Sequence, residues 1–212
     1  MNGILFGGAF DPPHLGHIQM AEEAHKLFPA RKILVMPSPV SPTPGKSDLT
    51  SFEHRLAMAK IAFETPLQKG WLEVSTLEKD LPSPNYTIAT LRALNTDAGE
   101  RLILMIGEDQ LSHFHLWKEP IKILEMTDLI VFQRLEKSAT VSDLGAHLGL
   151  STERTGDSTY QIGPARVVFV HDRVCKASSR ELRARLSLGE DSPWLPQHVK
   201  NYIKENQLYG TP

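Results

Sequence analysis

Ile-Leu-Phe-Gly-Gly-Ala-Phe-Asp-Pro-Pro-His-Leu-Gly-His, residues 4–17, decides how the 212-residue chain is read. Ile4–Phe6 is a continuous apolar run, the mark of a strand covered on both faces. Gly7 and Gly8 come at once after it, where a chain must turn and let a ligand approach its backbone. Pro12 and Pro13 stiffen the turn, and His14 and His17 stand three apart at the start of a helical pattern. If the helix has begun by His14, the two imidazoles share one face. Free N–H groups at a helix start, with two potential cations, suit a phosphate. Three readings of the histidines stay open: phosphate contact, simple capping and packing, or a metal site with Asp11 as third ligand.

Outward from this stretch the same alternation repeats. Apolar runs at Lys32–Met36, Leu72–Val74, Leu102–Ile106, Leu129–Phe132 and Val167–Val170 are separated by helical patterns. Those patterns cover Leu15–Phe28, Phe52–Phe63, Thr87–Leu94, Leu111–Leu124 and Ser179–Leu188, with a last helix near Pro196–Asn206. Such alternation predicts an α/β fold: a Rossmann-like, doubly wound parallel sheet of about six strands with helices on both faces. The length fits a single domain over 1–212. Two stretches interrupt the pattern. Residues 37–46 hold four prolines and read as a loop after the second strand. Ser138–Pro164 is polar, and reads as an insertion with a short helix near Val141–Leu148.

Composition narrows the class. Hydrophobic residues are 41% and charged residues 23%, so disorder and coiled coil are excluded for the whole chain. Lys and Arg number 23 against 25 Asp and Glu, a net charge of -2, which argues against a surface built for nucleic acid or anionic lipid. One cysteine, Cys175, permits no internal disulfide, and no apolar stretch approaches a membrane span. The expectation is a cytoplasmic protein, with a homo-oligomer possible.

In an open parallel sheet, ligands bind beyond the carboxyl ends of the strands. After the last strand, Arg173 to Arg185 carries five basic residues and one acid, Glu181. Ser178 and Glu181 have the spacing of a capping box, and Ser178, Ser179 and Arg183 are set to meet an anion. The alternative is a solvated basic helix. The fourth strand ends Ile106-Gly107-Glu108-Asp109, either a ribose-binding carboxylate beside a glycine or a capped turn. Asn85, Tyr86 and Thr87 begin a helix and can be only caps, and Lys46 can be only a solvated lysine. Gly45-Lys46-Ser47 is not a phosphate-binding Walker loop, because position 40 is Val40 and not glycine. His113 and His115 lack a convincing partner, and Cys175 reads as a small buried residue.

His14-Leu15-Gly16-His17 and Ala177-Ser178-Ser179-Arg180-Glu181-Leu182-Arg183 resemble the two signatures of the nucleotidyltransferase superfamily that carries an H-x-G-H motif. Within it, the chain resembles the bacterial nicotinate-nucleotide adenylyltransferases. That resemblance extends through Ser51–Ala62, Asn85-Tyr86-Thr87, Ile106–Asp109, Trp117 and the closing Leu195–Gly210. Departures are Ala9 where threonine is frequent, Gly45 where histidine precedes the loop cation, and Arg180 in place of threonine.

The resemblance implies adenylyl transfer from ATP to nicotinate mononucleotide, with Mg²⁺ arriving on the nucleotide. It implies catalytic roles for His17, His14 and Arg183. ATP would also meet Gly8, Ala9, Phe10, Gly107, Asp109, Ser178 and Ser179. The mononucleotide would meet Lys46, Tyr86, Thr87 and Trp117. No residue is expected to be a dedicated metal ligand. The rivals are the amide mononucleotide or phosphopantetheine as acceptor, and a non-catalytic nucleotide-binding regulator.

Overall fold

The computed structural model describes residues 3–40, 49–94, 101–133, 140–171, 175 and 177–211. Among the described residues, eight strands form one sheet: β1 (Gly3–Gly8), β2 (Lys32–Pro37), β3 (Leu72–Val74), β4 (Leu102–Gly107), β5 (Thr127–Phe132), β6 (Thr152–Arg154), β7 (Thr159–Ile162) and β8 (Ala165–Val170). Their order is β3-β2-β1-β4-β5-β8-β7-β6. The first six in that order run parallel, and β6 and β7 are antiparallel additions at one edge.

Helices are α1 (Leu15–Leu27), α2 (Phe52–Ala62), α3 (Glu64–Gln68), α4 (Thr87–Ala93), α5 (Glu108–Ser112), α6 (Pro120–Met126), α7 (Val141–Leu148), α8 (Ser179–Ser187) and α9 (Gln197–Glu205). Alternate residues of the central strands supply two cores. Ile4, Phe6, Ile103, Met105, Ile130 and Phe132 pack against residues of α1, α2, α8 and α9. Leu5, Leu104, Ile106, Leu129 and Val131 face the other way, toward α4, α5, α6 and α7. Both sheet faces are therefore covered, which is why these strands read as continuous apolar runs.

Three expectations need correction. The sheet has eight strands and not about six. The two additional ones lie inside the insertion, where α7 falls at Val141–Leu148 and β6–β7 form a hairpin against β8. Strand β6 is Thr-Glu-Arg and exposed throughout, so it has no apolar run by which to announce itself. Second, Leu111–Leu124 is not one helix. It breaks into α5, a 3-10 turn at Phe114–Leu116 and α6. Glu119 adopts the left-handed conformation at φ 54°, and Pro120 then opens α6. Third, Cys175 is half-buried and not buried.

Sheet order places the switch point between β1 and β4. From β1 the chain winds to β2 and β3 on one side, then returns to β4 and continues to β5 and β8 on the other. The ladder between β1 and β4 ends at Leu5 and Leu104. The outer ladders continue to Gly8 with Pro37 and to Gly107 with Phe132. The two central strands thus part before their carboxyl ends, opening a crevice where such folds bind ligands.

Candidate active site

The loop leaving β1 walls one side of the crevice. Phe10 adopts φ 50°, a left-handed turn, and its ring is buried in the core. Phe10 is 1% exposed, so its ring is not open to a ligand. The ring supports His17, with centroids 5.0 Å apart, and Phe6 lies 6.0 Å from the same imidazole.

His14 is not inside the helix, as its sharing a helical face would require. It is the N-cap of α1, with extended backbone at φ -143° and ψ 172°. The two rings are nevertheless brought together, stacked with centroids 3.8 Å apart. The His14 N–H donates to His17 Nδ1 at 3.2 Å. His14 is 2% exposed and His17 half-buried, so His17 is the ring more open to the crevice. Gly16 has a steric reason: a Cβ there would lie 3.0 Å from the His14 ring and 3.2 Å from the Cys175 carbonyl oxygen.

The second signature folds directly onto the first. Ser179 Oγ donates to the Pro12 carbonyl at 3.0 Å. Arg183 Nη1 donates to the Asp11 carbonyl at 2.6 Å and lies 3.8 Å from Asp11 Oδ2. Cys175 N–H donates to Gln19 Oε1 of α1 at 2.7 Å. Ser178 is the N-cap of α8 by position, yet its side chain makes no capping hydrogen bond, so the expected box with Glu181 is not formed. Arg180 is exposed. Arg173 and Lys176, like Lys46 and Gly45, lie outside the described residues.

At the end of β4, Asp109 folds back over Gly107. A Cβ on Gly107 would stand 2.5 Å from Asp109 Oδ1, so any side chain there displaces that carboxylate. Asp109 is exposed and Gly107 half-buried. Farther along, the half-buried Trp117 stacks on Phe114 at 4.9 Å. Tyr86 is the N-cap of α4 and Thr87 its first residue. Lys118 Nζ sits 4.6 Å over the Tyr86 ring, which ties the Trp117 segment to the Tyr86–Thr87 segment. Glu119 fixes that segment through a two-pronged pair with Arg92, at 3.1 and 2.6 Å.

Sequence reading missed the residues that hold the loops in place. Arg55, 1% exposed, points its guanidinium from α2 beneath the site. It donates to the carbonyls of Thr50, Ala9 and Ser38 at 2.8 Å and of Pro39 at 3.2 Å. The loops after β1 and β2 are thereby held by one side chain. Burial pushes its pKa down and the nearby Asp11 charge pushes it back up. Asn85 does similar work for the Tyr86 segment: its Oδ1 accepts from Val40 N–H at 3.1 Å, and its Nδ2 donates to the Glu78 carbonyl at 2.7 Å. The sequence hinted at Arg55 only within the Ser51–Ala62 resemblance, and marked Asn85 only as a cap or part of the Asn85-Tyr86-Thr87 resemblance, with neither loop-holding role.

Comparison with known proteins identifies the family. A cytidylyltransferase-like family model matches residues 5–185, so the chain belongs to that family of nucleotidyl-transferring enzymes. Within it, the chain belongs with the nicotinate-nucleotide adenylyltransferases. It is 33% identical over 208 residues to a protein of Roseiflexus castenholzii named "Probable nicotinate-nucleotide adenylyltransferase", covering 98% of this chain and 96% of that one. A protein of the same name from Buchnera aphidicola is 33% identical over 212 residues, again covering 98% and 96%. The fold matches Plasmodium falciparum nicotinic acid mononucleotide adenylyltransferase complexed with NaAD, at TM-score 0.77 and 18% identity, covering 100% of this chain and 98% of that one. Among the described residues, no helix is long and apolar enough to cross a membrane.

Proposed function

We propose that the enzyme transfers the adenylyl group of ATP to nicotinate mononucleotide, releasing pyrophosphate and forming deamido-NAD. The observation that carries this reading is the closure of α8 on the loop after β1, through Ser179 to Pro12 at 3.0 Å and Arg183 to Asp11 at 2.6 Å. It gathers the start of α8 with Ser178 and Ser179, an arginine and the paired histidines at the switch-point crevice, a set suited to a triphosphate.

The mononucleotide phosphate attacks the α-phosphorus in line. The new P–O bond forms as the bond to the β-phosphate oxygen breaks, and pyrophosphate leaves. The attacking oxyanion needs no base, so catalysis rests on positioning and charge stabilisation. His17 Nδ1 accepts the His14 N–H, so the proton of its neutral ring sits on Nε2. That Nε2–H is the donor to the α-phosphoryl oxygens. Ser178, Ser179 and Arg183 hold the outer phosphates, and Gly107 and Asp109 receive the ribose. Trp117, Tyr86 and Thr87 take the pyridine ring, and Lys46 the mononucleotide phosphate.

Among the described residues no three His, Cys, Asp or Glu side chains converge into a metal cage. Asp11 is buried, with both oxygens facing protein donors. Mg²⁺ arriving on the nucleotide would be held mostly by phosphate oxygens and water, and would supply charge neutralisation when bound.

The test is pyrophosphate release from ATP with nicotinate mononucleotide, nicotinamide mononucleotide or phosphopantetheine, paired with thermal shift. The acid mononucleotide is expected to give the highest kcat/KM. Faster turnover of another acceptor replaces the proposed substrate, and stabilisation by ATP without pyrophosphate indicates a regulator.

A further inference from the structure

Asp11 is wholly buried at 0% exposed, and its two oxygens are approached from different parts of the chain. Tyr209 donates its hydroxyl to Oδ1 at 2.6 Å, from 198 positions away. Thr50 N–H reaches Oδ2 at 3.2 Å. Arg183 Nη1, already on the Asp11 carbonyl, stands 3.8 Å from that same Oδ2. Arg183 keeps a third of its side chain exposed, the part a triphosphate would meet.

The segment delivering the hydroxyl is held in an unfavourable backbone. Gln207 has φ 50° and Tyr209 φ 58°, both left-handed and neither glycine. Such conformations are costly for residues other than glycine and persist where their surroundings fix them. Tyr209 is fixed on one side by the hydrogen bond to Asp11 and on the other by the core beside α2 and α8.

We propose that Tyr209 is a positioning residue for ATP, acting through Asp11 on Arg183. A buried carboxylate demands donors. While the tyrosine hydroxyl satisfies Oδ1, Arg183 stays anchored by the Asp11 carbonyl with its remaining N–H groups free to turn to phosphate. Without that hydroxyl, the guanidinium 3.8 Å away is a cation able to close on the carboxylate, and in doing so it withdraws from the nucleotide. Burial, then the Asp11 charge, pushes the Tyr209 pKa up, so the group remains a donor across the working pH range.

This inference rests on the assignment of Arg183 to the ATP phosphates, but not on which acceptor the enzyme uses. The test is ATP affinity by calorimetry on the full chain, in a cycle of unchanged protein, Tyr209→Phe, Arg183→Ala and the double variant. Tyr209→Phe is expected to weaken ATP about tenfold, the scale of one hydrogen bond to a charged group, and to move mononucleotide affinity less than twofold. In the Arg183→Ala background the same change is expected to cost less than twofold. Equal weakening in both backgrounds marks a purely structural tyrosine and overturns the proposal, as does unchanged affinity in the single variant. Coupling is reciprocal, so ATP added to the unchanged protein is expected to alter hydrogen exchange at residues 207–211. No change there also overturns it, with no substitution needed. An intact cycle in a protein that releases no pyrophosphate with nicotinate mononucleotide would sink the proposed reaction and leave this inference standing.

Discussion

Two arginines clamp main-chain carbonyls at opposite ends of the sheet. Arg101, before β4, donates to the carbonyls of Glu125, Leu124 and Thr127 and pairs with Asp128 at 3.0 Å. It is 31% exposed and fastens the end of α6 to the amino ends of the strands. Arg55 holds four carbonyls at the carboxyl ends and is 1% exposed. The negative charge nearest its role is Asp11, which also serves Arg183 and Tyr209. Arg101 pairs directly with Asp128, whose Oδ1 also accepts the Arg166 N–H, whereas Arg55 lies near a carboxylate that also serves Tyr209 and Arg183. The same carbonyl-clamping chemistry thus fastens the amino ends of the strands at one end and shapes the loops after β1 and β2 at the other.

The comparison can be broken by substitution. His17→Ala, at the site but outside both clamps, is expected to lower kcat by about 10²–10³, as for loss of one transition-state donor, with the melting temperature held within about 2 °C. Near-normal turnover would remove His17 from its role. Arg55→Lys cannot reach four carbonyls with one ammonium. It is expected to cut kcat/KM by about 10–100-fold and to lower the melting temperature. An unaltered kcat/KM in a folded variant would reduce Arg55 to a structural residue like its counterpart. Arg101→Lys is expected to lower the melting temperature by about 4–8 °C, from about 2 kcal/mol of lost hydrogen bonding, while steady-state constants stay within about twofold. Loss of activity at constant stability would erase the distinction.

The smallest effect concerns Glu78, 7% exposed, whose pKa is raised by burial and opposed by the Thr90 hydroxyl at 2.7 Å. A carboxyl with a raised folded-state pKa favours folding below its unfolded pKa and loses that contribution as pH rises through the folded value. Glu78→Gln is therefore expected to raise the melting temperature by about 2–4 °C at pH 8, an advantage that shrinks below about pH 4. Destabilisation at pH 8 would show that the ionised form is the one the fold prefers.

Strands and motif positions were legible because their signals are local. Ile4–Phe6 and Leu102–Ile106 are apolar on both faces, and the two signatures sit just past strand ends. The features that escaped reading depend on contacts between distant positions. Nothing about Tyr209 announces a hydroxyl on Asp11, and nothing in Phe52–Ala62 says which of its polar residues turns inward. The β6–β7 hairpin escaped because an edge strand needs backbone partners and no apolar face. The break before α6 escaped because the helical period of 111–124 continued through a left-handed glutamate.

The central claim is that this crevice moves the adenylyl group and not the terminal phosphate. ATP labelled at the α-phosphorus, incubated with the enzyme and nicotinate mononucleotide, tests it most directly. The label is predicted to appear in a dinucleotide, with one pyrophosphate released per label transferred. Label recovered in ADP would contradict it.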